Sequence, residues 1–248
     1  MLEALPLLEV RDLSVRFGGL RALSGVTLRL CDAELLGVIG PNGAGKTTFF
    51  HAMSGVVPPT SGRLRLAGED LTGRPPHVYA RRGVARTFQT PRLLGELPVL
   101  DQVLFAIRFG AGRRLGKDDP RQLAHALLRR VGLSAQAHRP ATELPPAGQR
   151  LLEIAVALGT RPRLLLLDEV AAGLTEAEVA QVSSLIAAIR HELGVAVIWI
   201  EHAVGALLRT VDRVLVLHHG EAIADAAPRE VVRNARVLDA YLGAEAAT

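Results

Sequence analysis

The hydrophobic and polar positions fall into three regimes along the chain. Near the start they alternate. Leu8-Glu9-Val10, Leu13-Ser14-Val15-Arg16-Phe17 and Val26-Thr27-Leu28-Arg29-Leu30 each read as strands with one polar face, and Arg63-Leu64-Arg65-Leu66 follows after the loop Pro58-Pro59-Thr60-Ser61-Gly62. Such strands suit an antiparallel sheet flanking a core. From about 90 to 160 the spacing becomes helical. Leu100–Phe109 is one helix. A second starts at Pro120, ahead of Leu123, Leu127, Leu128 and Val131, and a third runs from Gln149 to Leu158. After 160 the strands are continuous apolar runs, Leu164–Leu167, Ala196–Ile200 and Val214–Leu217, as a parallel sheet covered on both faces requires. Between the first two lies a helix from Glu176 to Leu193, and Thr175 with Glu178 forms a capping box at its start.

One further apolar run decides the class. Leu35-Leu36-Gly37-Val38-Ile39 leads into Gly40-Pro41-Asn42-Gly43-Ala44-Gly45-Lys46-Thr47-Thr48, and a helix follows through Met53. The nine residues fit G-x-x-x-x-G-K-[ST], a loop whose backbone N–H groups converge on phosphate oxygens. The helix N-terminus adds partial positive charge. Lys46 is expected to reach the β- and γ-phosphates, and the Thr47 hydroxyl to ligate Mg²⁺. Together the regimes predict an α/β protein: a P-loop NTPase core of mixed sheet with flanking antiparallel strands, interrupted by a helical subdomain at about 90–160, within one domain spanning 7–248.

Downstream, Leu164–Leu167 delivers Asp168 and Glu169 to the C-terminal end of a buried strand, the edge where open α/β sheets bind ligands. Asp168 is expected to hold Mg²⁺ or its water shell, and Glu169 to polarise an attacking water as general base. His202 follows another buried strand. Alone it would read as structural or helix-capping; at an edge already carrying phosphate and metal groups it is a candidate for the γ-phosphate. Gln89 does not stand out by itself. His218-His219-Gly220 reads as a turn between strands.

Composition narrows the setting. Of 248 residues, 49% are hydrophobic and 22% charged, an ordinary globular balance. Net charge is +4 and the basic residues come in scattered pairs such as Arg129-Arg130, which argues against a nucleic-acid groove. Cys31 is the only cysteine, so there is no intrachain disulfide and no cysteine-based metal site. No secretory leader and no spanning helix is evident, so the expected location is cytoplasmic, with any membrane role reached through a partner.

The order of the phosphate loop, Gln89, Leu144–Arg150, Asp168-Glu169 and His202 resembles an ABC transporter ATPase cassette over essentially the whole chain. Four stretches give a narrower likeness to the ATP-binding subunits of branched-chain amino acid uptake systems. They are Arg16 to Leu23, Gly83 to Gln89, Leu151 to Ala155, and Ala240 to Gly243. The resemblance implies that Phe17 stacks on adenine, that Gln89 touches Mg²⁺ and senses the membrane subunit, and that His202 contacts the γ-phosphate. It also implies Mg-ATP hydrolysis on the inner face of the membrane and partnership with permease subunits. A second cassette would pair head to tail, and a solute-binding protein would act indirectly.

The likeness breaks at one motif. The family signature reads Leu-Ser-x-Gly-Gln, whereas this chain has Leu144-Pro145-Pro146-Ala147-Gly148. The serine hydroxyl is gone in either register, and proline brings no N–H to a helix end that should donate to phosphate. Val170 and Thr175 are smaller departures. This leaves three readings open: a transport ATPase completed by a partner cassette with an intact signature, a regulatory cassette that hardly hydrolyses ATP, or a soluble ABC ATPase outside transport.

Overall fold

The computed structural model describes residues 6–110, 119–201 and 204–245. An antiparallel sheet is built from β1 (Leu8–Phe17), β2 (Leu20–Leu30), β4 (Ser61–Leu66) and the short β5 (Glu69–Asp70), in the order β2-β1-β4-β5. The six-stranded sheet contains β3 (Leu35–Ile39), β6 (Val84–Arg86), β7 (Leu164–Asp168), β8 (Ala196–Ile200), β9 (Arg213–His218) and β10 (Glu221–Ala226). Its order is β10-β9-β3-β8-β7-β6, parallel throughout except for the edge strand β10.

Strand periodicity divides the interior in two. Leu36, Val38, Leu164, Leu166, Ile198 and Leu215 face the antiparallel sheet, in a core they share with Phe49, Phe50 and Met53 of α1 (Lys46–Met53). Their alternate neighbours Leu35, Ile39, Leu165, Leu167, Val197 and Trp199 face the helical side. Each of these strands is therefore buried on both faces, which is why the sequence shows runs instead of alternation there.

On that helical side, α3 (Val99–Phe109), α4 (Pro120–Arg130) and α5 (Pro146–Gly159) pack on one another, while α6 (Glu176–Leu193) and α7 (Val204–Thr210) lie nearer the sheet. A short α2 (Pro76–Arg81) precedes β6, and α8 (Pro228–Val231) and α9 (Ala235–Glu245) close the described chain. Asp119 caps α4 by accepting from Arg121 N at 3.0 Å, with Pro120 at the first helical position. The predicted capping box is present: Thr175 accepts from Glu178 N, and Glu178 accepts from Thr175 N.

Two expectations change in detail. The two short strands read at 8–10 and 13–17 are one strand, carried through a bulge at Asp12, which adopts φ 50°. Helix α5 starts at Pro146, three residues before the expected Gln149, because Pro145 takes the extended N-cap conformation (φ −62°, ψ 161°) and Pro146 fits the first turn. Among the described residues, no helix is long and apolar enough to cross a membrane.

Candidate functional site

The phosphate loop leaves β3 at the sheet's C-terminal edge and enters α1 at Lys46. Two glycines make that path possible. Gly40 has φ +154°, and a Cβ there would lie 2.1 Å from the Leu217 carbonyl; Gly45 has φ +101°, with a Cβ 2.6 Å from the Ala22 carbonyl. The turn between β9 and β10 supports the loop from behind. Gly220 N donates to Ala44 O at 3.0 Å, and Gly220 O accepts from Ser24 N at 2.8 Å. The C-terminal helix also reaches this region, where the backbone of Gly40 meets the Tyr241 hydroxyl.

Lys46 is only 7% exposed. Its Nζ donates to the carbonyls of Gly40 (2.6 Å) and Pro41 (3.0 Å), the two residues that open the loop. Burial pushes its pKa down, and the Glu169 carboxylate works against that shift. A cationic amine held in a half-dry cradle next to inward-curled amides is suited to a polyanion.

A cavity of about 520 Å³ opens in front of the loop. Asn42, Gly43, Ala44, Gly45, Lys46, Thr47 and Thr48 line it, together with Phe17, Gln89 and Glu169. Phe17 is 49% exposed, an uncovered ring at the mouth. Gly40 and Pro41 sit behind the lining and act through their carbonyls on Lys46. His202 lies outside the described residues. The cavity also takes in Leu20, Arg21, Ala22 and His219, which sequence reading had not singled out for binding. His219 was read as part of a turn, and it is one; its φ of 48° turns the hairpin at the cavity wall.

The acid pair divides its contacts. Asp168, at the end of β7, is 6% exposed; its N–H donates to Thr87 Oγ1 (3.1 Å) and its Oδ2 accepts from Arg86 Nη2 (3.3 Å). Burial still raises its pKa, with Arg86 opposing and Glu169 reinforcing the rise. Glu169 has φ 50°, held by its N–H to Ile200 O at 3.0 Å. Its Oε2 accepts from Gln89 Nε2 at 2.7 Å. Arg86 and Thr87 belong to the stretch Gly83 to Gln89, but the sequence gives neither a contact with Asp168, because β6 is only three residues long and shows no periodicity.

Fit to a divalent cation follows from the donor set. Among the described residues, no cluster of three or more His, Cys, Asp and Glu could hold a metal alone. Thr47 and Gln89 line the cavity and could supply hydroxyl and carbonyl oxygens, and Asp168, outside that lining and paired with Arg86, one carboxylate; such donors suit Mg²⁺ when substrate phosphates complete the shell.

A phosphate loop between a buried strand and a helix, with an acid pair two strands away on the same edge, defines a P-loop nucleotide-binding cassette. The chain belongs to the ABC transporter family: that family's model matches residues 23–172, and the branched-chain amino acid ATP-binding cassette transporter model matches residues 223–247. It is 41% identical over 251 residues to the high-affinity branched-chain amino acid transport ATP-binding protein BraF of Pseudomonas aeruginosa, covering 96% of this chain and 98% of that one. The corresponding protein LivG of Escherichia coli is 38% identical over 250 residues, with the same coverage. An ATP-binding cassette of an ABC transporter, solved in its ADP conformation, superposes with a TM-score of 0.86 at 27% identity, covering 97% of this chain and 100% of that one.

Proposed function

We propose that this chain is the ATP-hydrolysing subunit of an ABC importer for branched-chain amino acids or similar small polar solutes, working at the inner face of the membrane. One juxtaposition carries the reading: a phosphate loop and the Gln89–Glu169 pair line one cavity in a chain whose relatives are transport ATP-binding proteins. Residues 7–248 form one cassette, with about 90–160 as its helical arm. Permease subunits, a second cassette and, indirectly, a solute-binding protein complete the system.

The roles follow from chemistry. Phe17 stacks on adenine. The amides of residues 42–48 and the Lys46 amine hold the phosphates. Thr47, Asp168 and Gln89 would hold Mg²⁺, which would supply neutralisation of phosphate charge. Glu169 takes a proton from the attacking water, and its contact with Gln89 orients the accepting oxygen. His202 donates to the γ-phosphate.

A second feature argues for an unequal pair of sites. Pro145 caps α5 without a side-chain bond, and Pro146 offers no N–H. The groups this chain brings to its own nucleotide are complete, whereas those it offers across a cassette interface are depleted. A partner cassette with an intact signature restores one site. The test is Mg-ATP turnover of the purified chain against the mixed pair in the presence of the permeases. Weak turnover alone and strong turnover mixed is the expected result. Full activity alone rejects the asymmetry, and inactivity in both leaves the regulatory reading standing.

A further inference from the structure

Helix α5 buries one carboxylate among apolar neighbours. Leu152, Ile154 and Ala155 are fully buried around Glu153, which is itself 5% exposed. Glu153 Oε1 accepts from two backbone amides, Phe88 N at 3.1 Å and Arg92 N at 3.3 Å. These amides bracket Gln89. Arg150, one turn earlier on α5, donates from Nη1 to Phe88 O at 3.0 Å, so the helix grips Phe88 by both of its backbone polar groups. The Phe88 ring adds to the hold, lying under the guanidinium groups of Arg86 (4.7 Å) and Arg92 (4.4 Å). Glu153 Oε2, by contrast, is buried without a hydrogen-bond partner. An unpartnered buried carboxylate oxygen works against stability, so an apolar side chain would serve this helix face better if packing were the only demand.

We propose that Glu153 is a positioning residue that fastens the Gln89 loop to helix α5, so that the seating of Gln89 on Glu169 follows the position of α5. The inference rests on the hydrolytic reading above. It defines a continuous path. Helix α5, which begins at the proline pair of the altered signature, holds Phe88 and Arg92; the loop between them carries Gln89; and Gln89 donates to Glu169. Movement of α5 relative to β7 therefore shifts the oxygen proposed to accept a proton.

The test uses the cassette assembled with its permeases and partner cassette, comparing wild type with Glu153→Leu and Glu153→Gln. The leucine variant removes the acceptor but fills the space; the glutamine variant keeps one acceptor oxygen. Glu153→Leu is expected to lower kcat by about tenfold to a hundredfold, the scale of a misplaced catalytic group. Its ATP affinity should stay within about twofold of wild type, because the phosphate loop is untouched, and the Phe88 and Arg92 amides should exchange hydrogen faster. Glu153→Gln should recover most of kcat and of the amide protection. A leucine variant with wild-type kcat and wild-type exchange overturns the proposal, as does a glutamine variant as impaired as leucine. A wild-type complex that neither binds nor hydrolyses Mg-ATP defeats the functional reading instead, and the exchange comparison still decides whether Glu153 holds the loop.

Discussion

Gln89 Nε2 donates to Glu169 Oε2 at 2.7 Å, joining two residues 80 positions apart in the lining of the cavity. The contact fixes one carboxylate oxygen of Glu169. Replacing Glu169 with glutamine keeps the shape and removes the proposed base. Turnover should fall by about 10²–10⁴-fold, the usual contribution of a general base, with ATP affinity little changed. Phosphate release together with equilibrium nucleotide binding checks both halves.

Lys46 carries the opposite expectation. Its amine already sits inside the loop, on the carbonyls of Gly40 and Pro41. Lys46→Met should weaken ATP binding by about tenfold to a hundredfold, the loss expected for hydrogen bonds to a charged group. Calorimetric titration with Mg-ATP measures it.

Pro145 stands at the N-cap of α5 with backbone angles that serine also adopts. Pro145→Ser restores a capping oxygen worth about 1 kcal/mol and the hydroxyl of the family signature. Turnover of the unmixed cassette should rise by about tenfold or more, since a restored donor to a reacting phosphate acts on the barrier. Steady-state ATPase of the variant alone is the measurement.

Gly40→Ala tests the backbone. Its Cβ would fall 2.1 Å from the Leu217 carbonyl, in a conformation that alanine avoids. Unfolding should become easier by at least about 2 kcal/mol, read from urea melts, and phosphate binding should be lost with it.

The capping box gives a pH signature. Hydrogen bonds from Thr175, the backbone N–H first, hold the Glu178 carboxyl below its ordinary 4.5. A depressed folded-state pKa adds stability that is present above the unfolded value and lost as pH falls through the folded one. The stability gap between wild type and Glu178→Gln should therefore be open at neutral pH and close below 4.5, as urea melts across the acid range would register.

Much of this was visible in the chain. The buried runs of β3, β7 and β8 announced a sheet covered on both faces, and the phosphate loop and acid pair were legible because their chemistry is local. The continuity of β1 was hidden because Asp12 turns left-handed inside it, where a reader sees a break. The start of α5 was hidden because two prolines look like an interruption, yet both suit a first turn. The contacts that organise the site were least visible. Arg86 meets Asp168, and Glu153 meets Phe88, only because β6 lies beside β7 and α5 packs against β6. Spacing along a sequence carries no trace of such neighbours.

The clasp at Gly220 has an assembly consequence. It joins Ala44 of the cradle to Ser24 of the antiparallel sheet, through a residue almost two hundred positions further along than Ser24. Until the last hairpin has been synthesised and docked, the loop lacks its rear wall, so nascent chains ending before that hairpin should emerge from the ribosome unable to capture nucleotide.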